Sequence, residues 1–194
     1  MSLRQAQKRL TRELLLKEGL GLFEGKGYVA TTVDDIAAAA GTTRQTFYQH
    51  FPSKAALMKE LITAVDGLLI AVDDPRLSAV VESGDREKIH AWLGKKIDQW
   101  PAIKPYVTAA HEAAAHDAEI QEAIDVWFES AISDIHQGLE KAERFTPSSR
   151  RVRGTLAFGQ LEFASVRWMR HGWDVDRDET HAVLTESWMN LLVG

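Results

Sequence analysis

Cysteine is absent from the 194 residues of this sequence, which excludes disulfide bonds, thiolate zinc sites and cysteine nucleophiles. The sequence also lacks any apolar run close to the ~20 residues that a membrane-spanning helix needs. Its first ten residues, MSLRQAQKRL, are polar and basic and lack the apolar stretch of a signal peptide. We therefore expect a cytoplasmic protein that does not bind a membrane.

The loops on which common catalytic sites are built are missing as well. Ser, His and Asp occur without a nucleophile elbow or a Gly-rich oxyanion loop, and no P-loop or GxGxxG motif is present. His111 and His116 are five residues apart and would diverge by roughly 140° around a helix, whereas zinc-protease helices use a spacing of four. We predict that the chain is not an enzyme and has no cofactor and no metal site.

Charge is distributed unevenly along the chain. The total of 28 Asp and Glu against 23 Lys and Arg gives a net charge of −5. Residues 1–60 nevertheless hold nine basic and six acidic side chains, which leaves 14 basic and 22 acidic side chains for residues 61–194. The first third is therefore mildly basic, and such a local balance permits phosphate binding within an acidic protein.

The stretch from Thr32 to Phe51 has the pattern of two short helices joined by a glycine turn. Thr32 and Asp35 match a capping box at the start of the first helix. Gly41 stands where that helix must end and where a left-handed backbone is favoured. Thr43 then caps a second helix with Phe47 and Phe51 inward. The outward residues of this second helix are Arg44, Gln45, Thr46 and Gln49. The pattern is typical of a helix-turn-helix whose second helix enters the major groove of DNA, although structural helical hairpins can share it.

The remaining sequence predicts helices only, because it has no period-2 run long enough for a strand. A first helix is predicted over about 5–25, where Gly19 and Gly21 indicate close helix packing. A fourth helix is predicted from Ser53 to about Ile70, with no flexible linker after it. Further helices are predicted at about 85–100, 102–115, 118–145, 148–171 and 179–192, with Pro101 as one of the breaks. We expect an all-α protein of about nine helices.

Three segments make the helix-turn-helix pattern more specific: FEGKGYVATTVDDIA over 23–37, TFYQHF over 46–51 and SKAAL over 53–57. Together they resemble the DNA-binding domain of TetR-type transcriptional regulators over roughly residues 10–60. The rest of the chain resembles the family only in length and helical layout. The resemblance implies a homodimer with a three-helix DNA-binding domain over 1–55 and a larger helical ligand-binding and dimerisation domain over 56–194.

The same resemblance implies DNA contacts at individual positions. Arg44, Gln45 and Thr46 match positions that face base edges or nearby phosphates, and Arg and Gln can read guanine and adenine bidentately. Positions that grip the phosphate backbone are matched by Thr32, Thr43, Tyr48, His50 and Lys54. Tyr48 also fits a half-buried core position, and His50 fits an ordinary surface position. Many relatives carry Gly or another small residue in place of Gln45, so base preference cannot be copied from them.

A ligand cavity and a dimer interface are also implied by the resemblance. Predicted contacts to a small apolar or aromatic ligand are Trp92, His111, Trp127, Phe128 and Phe163, with His90 and Gln160 as further polar candidates. Predicted dimer contacts in the last two helices are Leu156, Phe163, Leu184, Trp188 and Leu191. Aromatic residues at helical spacing are equally typical of an ordinary core.

We predict a ligand-responsive repressor that binds a pseudo-palindromic operator in double-stranded DNA as a homodimer. Its two recognition helices would enter successive major grooves about 34 Å apart. A small-molecule effector would lower operator affinity by thermodynamic coupling through the long fourth helix. A DNA-binding activator, or a regulator without a small-molecule ligand, is compatible with the same sequence.

Overall fold

The computed structural model describes residues 2–70 and 73–194, and within them it contains nine α-helices and no strand. The helices are α1 (Leu3–Lys26), α2 (Val33–Ala39), α3 (Arg44–His50), α4 (Lys54–Ile70), α5 (Leu77–Ser83), α6 (Arg86–Ala114), α7 (Ala118–Lys141), α8 (Pro147–His171) and α9 (Arg177–Leu192). The predicted all-α fold is confirmed. None of the helices in the described ranges is both long enough and apolar enough to cross a membrane.

Two compact units make up the chain. Unit 1 comprises Met1–Asp66 and Ile103–Asp125, and unit 2 comprises Gly67–Ala102 and Val126–Gly194. The helices α4, α6 and α7 each contribute residues to both units. This division differs from the boundary predicted between residues 55 and 56, because most of α4, the end of α6 and the start of α7 pack with the first three helices.

The core of unit 1 is formed by apolar residues from each of its first four helices. They include Leu15 and Phe23 of α1, Ile36 of α2, Phe47 of α3 and Leu57 of α4, all of them buried. These side chains occupy the inward positions that helical periodicity predicts, so the local patterns and the packing agree.

One of the two glycines in α1 explains itself by close packing. A Cβ atom on Gly19 would lie 3.0 Å from the Leu57 Cδ2 atom, so α4 approaches α1 closely at this point. A Cβ atom on Gly21 would meet no atom within 4 Å. The prediction of close packing is confirmed for Gly19 and wrong for Gly21, whose position faces outward.

The predicted break at Pro101 is wrong, because α6 continues through Pro101 and Pro105 to Ala114. Each internal proline removes a helical N–H donor, at a cost of about 3 kcal/mol. Ile97 and Trp100 before the first proline, and Ile103 and others after it, are buried. Burial of each large apolar side chain contributes about 1.5–3 kcal/mol, which offsets the lost hydrogen bonds.

In unit 2, α5 was not predicted, although Leu77, Val80 and Val81 are buried in it. The helix is only seven residues long and its N-cap, Arg76, forms no side-chain capping bond, so it lacks a recognisable start signal. Elsewhere in this unit, the predicted start at Pro147 of α8 is confirmed. The helices α8 and α9 pack together, and the Trp188 indole N–H donates to the Ala157 carbonyl at 3.0 Å.

Candidate nucleic-acid interface

Local capping interactions shape the helix-turn-helix in unit 1. The Thr32 side chain accepts a hydrogen bond from the Asp35 N–H, and the Asp35 carboxylate accepts from the Thr32 N–H at 2.8 Å, which completes the predicted capping box. Gly41 has φ +64°, in the left-handed region that ends α2 without a Cβ clash. Thr43 Oγ1 accepts from the Thr46 N–H at 3.1 Å and so caps α3. The predicted helix-turn-helix is confirmed in these details.

The recognition helix α3 has one buried and one exposed side. Phe47 is fully buried and Phe51 follows it into the core, so these rings fix α3 on unit 1. Arg44, Gln45 and Tyr48 are exposed, and 45% of the Tyr48 surface is accessible. The outward placement of the residues predicted to read bases therefore agrees with the helix geometry, and Tyr48 does not lie in the core.

Arg44 is held at the surface by two neighbouring side chains. Its Nη1 atom donates to Asp34 Oδ2 of α2 at 2.7 Å, and its Nη2 atom lies 3.4 Å from the Tyr48 hydroxyl. The guanidinium carbon is also 5.6 Å from the centre of the Tyr48 ring. Asp34 was not selected from the sequence as a site residue. It lies ten residues before Arg44, and only the turn at Gly41 brings the two together.

Thr32 is tied to its own helix more fully than a simple phosphate contact requires. Its hydroxyl lies 2.6 Å from Asp35 Oδ2, and the same oxygen lies 2.6 Å from Lys26 Nζ. Hydrogen bonds from Lys26 and Thr32 hold the pKa of the Asp35 carboxyl well below its usual range. The start of α2 thus carries a carboxylate that stays ionised and a lysine that neutralises it.

Lys54 has partners within the protein rather than an open surface position. Its Nζ atom donates to the carbonyl oxygens of Tyr28 at 2.6 Å and Thr31 at 2.8 Å. The ammonium also lies 4.0 Å from the centre of the Tyr28 ring, within cation–π range. Partial burial lowers the pKa of this amine. Lys54 therefore braces the loop between α1 and α2, and the predicted phosphate contact must compete with these bonds.

The same loop is fastened from the region between α6 and α7, also in unit 1. Glu112 Oε1 accepts from the Tyr28 backbone N–H at 3.0 Å. Burial and the nearby Asp117 carboxylate raise the pKa of the Tyr28 hydroxyl to about 12. Gly27, with φ +86°, has no room for a side chain, because a Cβ atom would lie 2.6 Å from Glu112 Oε1. Glu112 and Asp117 thus hold the segment that precedes α2.

His50 ends α3 next to a basic stretch of α1. Arg12 Nη1 donates to the His50 carbonyl at 3.1 Å, its Nη2 atom pairs with Glu60 at 2.8 Å, and its guanidinium lies 4.4 Å from the Phe51 ring centre. Partial burial lowers the pKa of the His50 imidazole, and the nearby Lys8 and Arg12 charges lower it further. The anchoring role of Arg12 was missed from the sequence, although its spacing from Lys8 gave a helical-face signal.

The predicted ligand contacts do not form one group. His111 belongs to unit 1, whereas Trp92, Trp127, Phe128 and Phe163 belong to unit 2. Trp127 and Phe128 have ring centres 5.2 Å apart and form a small cluster. Trp92 is buried and stacks on Trp188 at 5.5 Å, as an ordinary core residue does. Phe163 is 71% exposed, which suits a surface contact and not an internal cavity wall.

The predicted dimer contacts also divide by burial. Trp188 is fully buried and Leu184 is 8% exposed within unit 2, so these two offer almost no surface to a second chain. Leu156 and Phe163 of α8 are exposed, and Leu191 is half-buried. We therefore correct the predicted interface by removing Leu184 and Trp188, because their surface is already covered by their own unit.

His111 and His116 do not share a helical face for a metal ion. The first lies in α6 and the second in the turn after Ala114, where α6 ends. Across residues 2–70 and 73–194, no cluster of three or more His, Asp or Glu side chains has an arrangement suited to a metal.

Comparison with known proteins relates the site to one family. Residues 15–61 match the family described as bacterial regulatory proteins, tetR family. The HTH-type transcriptional regulator TcmR of Streptomyces glaucescens is 40% identical over 74 residues, which are 38% of this chain and 33% of TcmR. The match thus spans about a third of the length of that relative and contains the helix-turn-helix.

Two solved structures share the fold over almost the whole chain. NalD, the secondary repressor of the MexAB-OprM multidrug efflux pump in Pseudomonas aeruginosa, has a TM-score of 0.71 at 21% identity and covers 94% of this chain and 95% of its own. SmeT in complex with triclosan has a TM-score of 0.71 at 15% identity, with coverage of 93% and 90%. With the helix-turn-helix geometry and the matched family segment, these similarities lead to one conclusion: the chain belongs to the TetR family of bacterial regulatory proteins.

Proposed function

We propose that this protein is a ligand-responsive transcriptional repressor that binds operator DNA in the cytoplasm through α2 and α3 of unit 1. The observation that carries the proposal is the recognition helix α3, which is fixed by buried Phe47 and presents Arg44 and Gln45 to solvent. A bidentate Arg–guanine pair and a Gln–adenine pair are common major-groove contacts. Members of the TetR family are transcriptional regulators and not enzymes, in agreement with the sequence-based prediction.

Phosphate contacts would place the recognition helix on the duplex. Thr43 and Tyr48 are exposed beside the base-reading residues, and Thr32 is exposed at the start of α2. Hydroxyl groups of Thr and Tyr are frequent donors to phosphate oxygens, and such contacts fix the register without reading sequence. Thr46 is partly exposed and its hydroxyl lies 3.0 Å from that of Thr43, so these two would contact DNA as a pair.

A homodimer would present two recognition helices to successive major grooves about 34 Å apart. Support comes from an exposed apolar stripe on α8. Its members, Val152, Leu156 and Phe163, are spaced four and seven residues apart and are each more than half exposed. An uncovered stripe of large apolar residues on one helix is typical of a surface that associates with another chain. The half-buried Leu191 of α9 is retained as a further contact.

The effector would be a small apolar or aromatic molecule bound by unit 2. The aromatic cluster of Trp127, Phe128 and Phe158 supports this ligand class, with the Phe128 and Phe158 ring centres 5.3 Å apart. Triclosan, an aromatic compound, is bound by the structural neighbour SmeT. Binding that favours a conformer with low operator affinity would release the DNA by thermodynamic coupling.

Selection of bound fragments from random double-stranded DNA tests the proposal directly. We expect a pseudo-palindromic sequence whose half-sites are about one helical turn apart. Arg44→Ala should then weaken binding to the selected operator between about fivefold and 150-fold and relax the preference at one base pair. Exposed Lys17→Ala on the distant part of α1 is the control. Recovery of no sequence above background would overturn DNA recognition.

Light scattering at micromolar concentration tests the dimer. Wild-type protein should have twice the chain mass of 21.7 kDa, and Phe163→Glu should shift it toward the single-chain mass. Because Phe163 is mostly exposed, the variant should keep its helical circular dichroism. A monomeric wild-type protein would contradict the two-groove mechanism while leaving DNA binding by one helix testable in the selection experiment.

A further inference from the structure

A cavity of about 410 Å³ opens between α1 and the C-terminal end of α3 in unit 1. Its lining residues are Gln5, Lys8, Arg9, Arg12, Gln49 and His50. The four from α1 follow the spacing i, i+3, i+4 and i+7, so they share one face of that helix. Three of the six carry a positive charge and none is a carboxylate, which makes the cavity suited to an anion.

Each cation at the cavity has a different degree of freedom. Arg12 is anchored to the His50 carbonyl and to Glu60, so it forms part of the cavity wall. Arg9 lies 3.5 Å from Glu13, in a pair whose two side chains are each 61% exposed. An exposed pair of this kind is weak, so Arg9 can exchange Glu13 for a stronger anionic partner. Lys8 is exposed on the same helix face.

The position of the cavity relative to α3 suggests which anion it would meet. With seven residues at 1.5 Å each, α3 is about 10 Å long, close to the ~12 Å width of the major groove. A helix of this length that inserts Arg44 near the base edges therefore places its His50 end beside the phosphates that border the groove. Gln49, also in the cavity lining, supplies an amide donor at that end.

We propose that this cavity binds a backbone phosphate that flanks the bases read by α3, with Lys8 and Arg9 as its charged contacts and Gln5 and Gln49 as neutral donors. The inference rests on the proposed operator-binding function and extends the contact surface from α2 and α3 to α1. Neither Lys8 nor Arg9 reads a base in this arrangement, so both add affinity equally to every operator sequence.

Salt dependence of operator binding is the first test. Each lost phosphate contact reduces the slope of log affinity against log salt by about 0.9, equivalent to about fivefold in affinity at 0.15 M salt. Fluorescence anisotropy with the selected operator should show this loss for Lys8→Ala and for Arg9→Ala, and about twice the slope change for the double variant. Lys17→Ala is the matched control, because Lys17 is an exposed cation of the same helix outside the cavity.

A methylphosphonate scan separates a bound phosphate from diffuse attraction. One flanking phosphate, when made neutral, should cost wild-type protein about fivefold and should cost the Lys8→Ala/Arg9→Ala variant nothing further. If every neutralised position affects wild type and the double variant equally, or if the double variant matches Lys17→Ala, the phosphate site is refuted. Specific operator binding by wild type in either case leaves the proposed function standing.

Titration with inorganic phosphate alone distinguishes the two sources of this anion. Because a single free ion gains none of the other DNA contacts, we expect His50 ring resonances to shift only at millimolar phosphate or above. Saturation at micromolar phosphate, with an unchanged operator salt slope in the double variant, would identify a free-ion site and overturn the assignment to the DNA backbone.

Discussion

Replacement of Lys54 by methionine separates a structural role from a DNA-contacting role. Methionine keeps an apolar stem of similar length but removes the ammonium that donates to the Tyr28 and Thr31 carbonyls. Hydrogen bonds from a charged donor contribute about 1.5–3 kcal/mol each. Because the amine is only partly buried, we take the lower value for both and expect Lys54→Met to lose about 3 kcal/mol of unfolding free energy.

Thermal unfolding followed by far-ultraviolet circular dichroism measures this loss. For a chain of this size, 1 kcal/mol corresponds to about 2–4 °C, so the midpoint for unit 1 should fall by about 6–12 °C. Lys59→Met is the matched control on the same helix. The Lys59 amine pairs with Glu119 at 2.8 Å on an exposed surface, and removal of such a pair changes stability little.

Operator binding by Lys54→Met completes the experiment. If the amine is held by the two carbonyls, the salt slope should equal that of wild type when both proteins are measured well below their unfolding midpoints. The sequence-based assignment to a phosphate instead predicts a slope reduced by about one unit. An unchanged midpoint together with a reduced slope would refute the structural role that we assign to Lys54.

Three further predictions concern other parts of the molecule. Gly138→Ala should destabilise unit 2 by about 3 kcal/mol in urea unfolding, because its Cβ atom would lie 2.5 Å from a backbone oxygen of α5, whereas the open position of Gly21 should gain up to about 1 kcal/mol with alanine. Equal effects of the two substitutions would contradict the packing. Asp34→Asn should raise affinity for operator and random duplexes alike by removing a charge near the phosphates, and should reduce discrimination at the base read by Arg44; unchanged discrimination would mean that Asp34 does not orient the guanidinium. In an NMR titration, the pKa of His50 should lie below the usual histidine value in the free protein and rise on operator binding, since a nearby phosphate favours the imidazolium; a pKa that falls on binding would contradict a phosphate at this end of α3.

The helix-turn-helix could be predicted from the sequence because its signals act over short distances. Thr32 with Asp35, Gly41, and Thr43 each determine backbone geometry within three or four residues. The position of Phe47 then follows from helical periodicity alone. Predictions based on such local interactions are confirmed almost residue by residue.

Features that depend on distant residues could not be predicted. The partners of Lys54 lie 23 and 26 residues away in the sequence, so a lysine after a serine cap gives no sign of them. The continuity of α6 through Pro101 depends on burial of its flanking residues, which no local proline rule includes. Burial also separates Phe163 from Trp188, because periodicity identifies an apolar face but not whether its own chain or a second chain covers it.

The aromatic residues of the two units have a spectroscopic consequence. All six tryptophans belong to unit 2, and all three tyrosines, Tyr28, Tyr48 and Tyr106, belong to unit 1. Emission excited selectively in tryptophan therefore reports on unit 2, while the proposed DNA contacts lie in unit 1. A change in this emission on addition of operator would be an optical record of communication between the units, obtained without any added label.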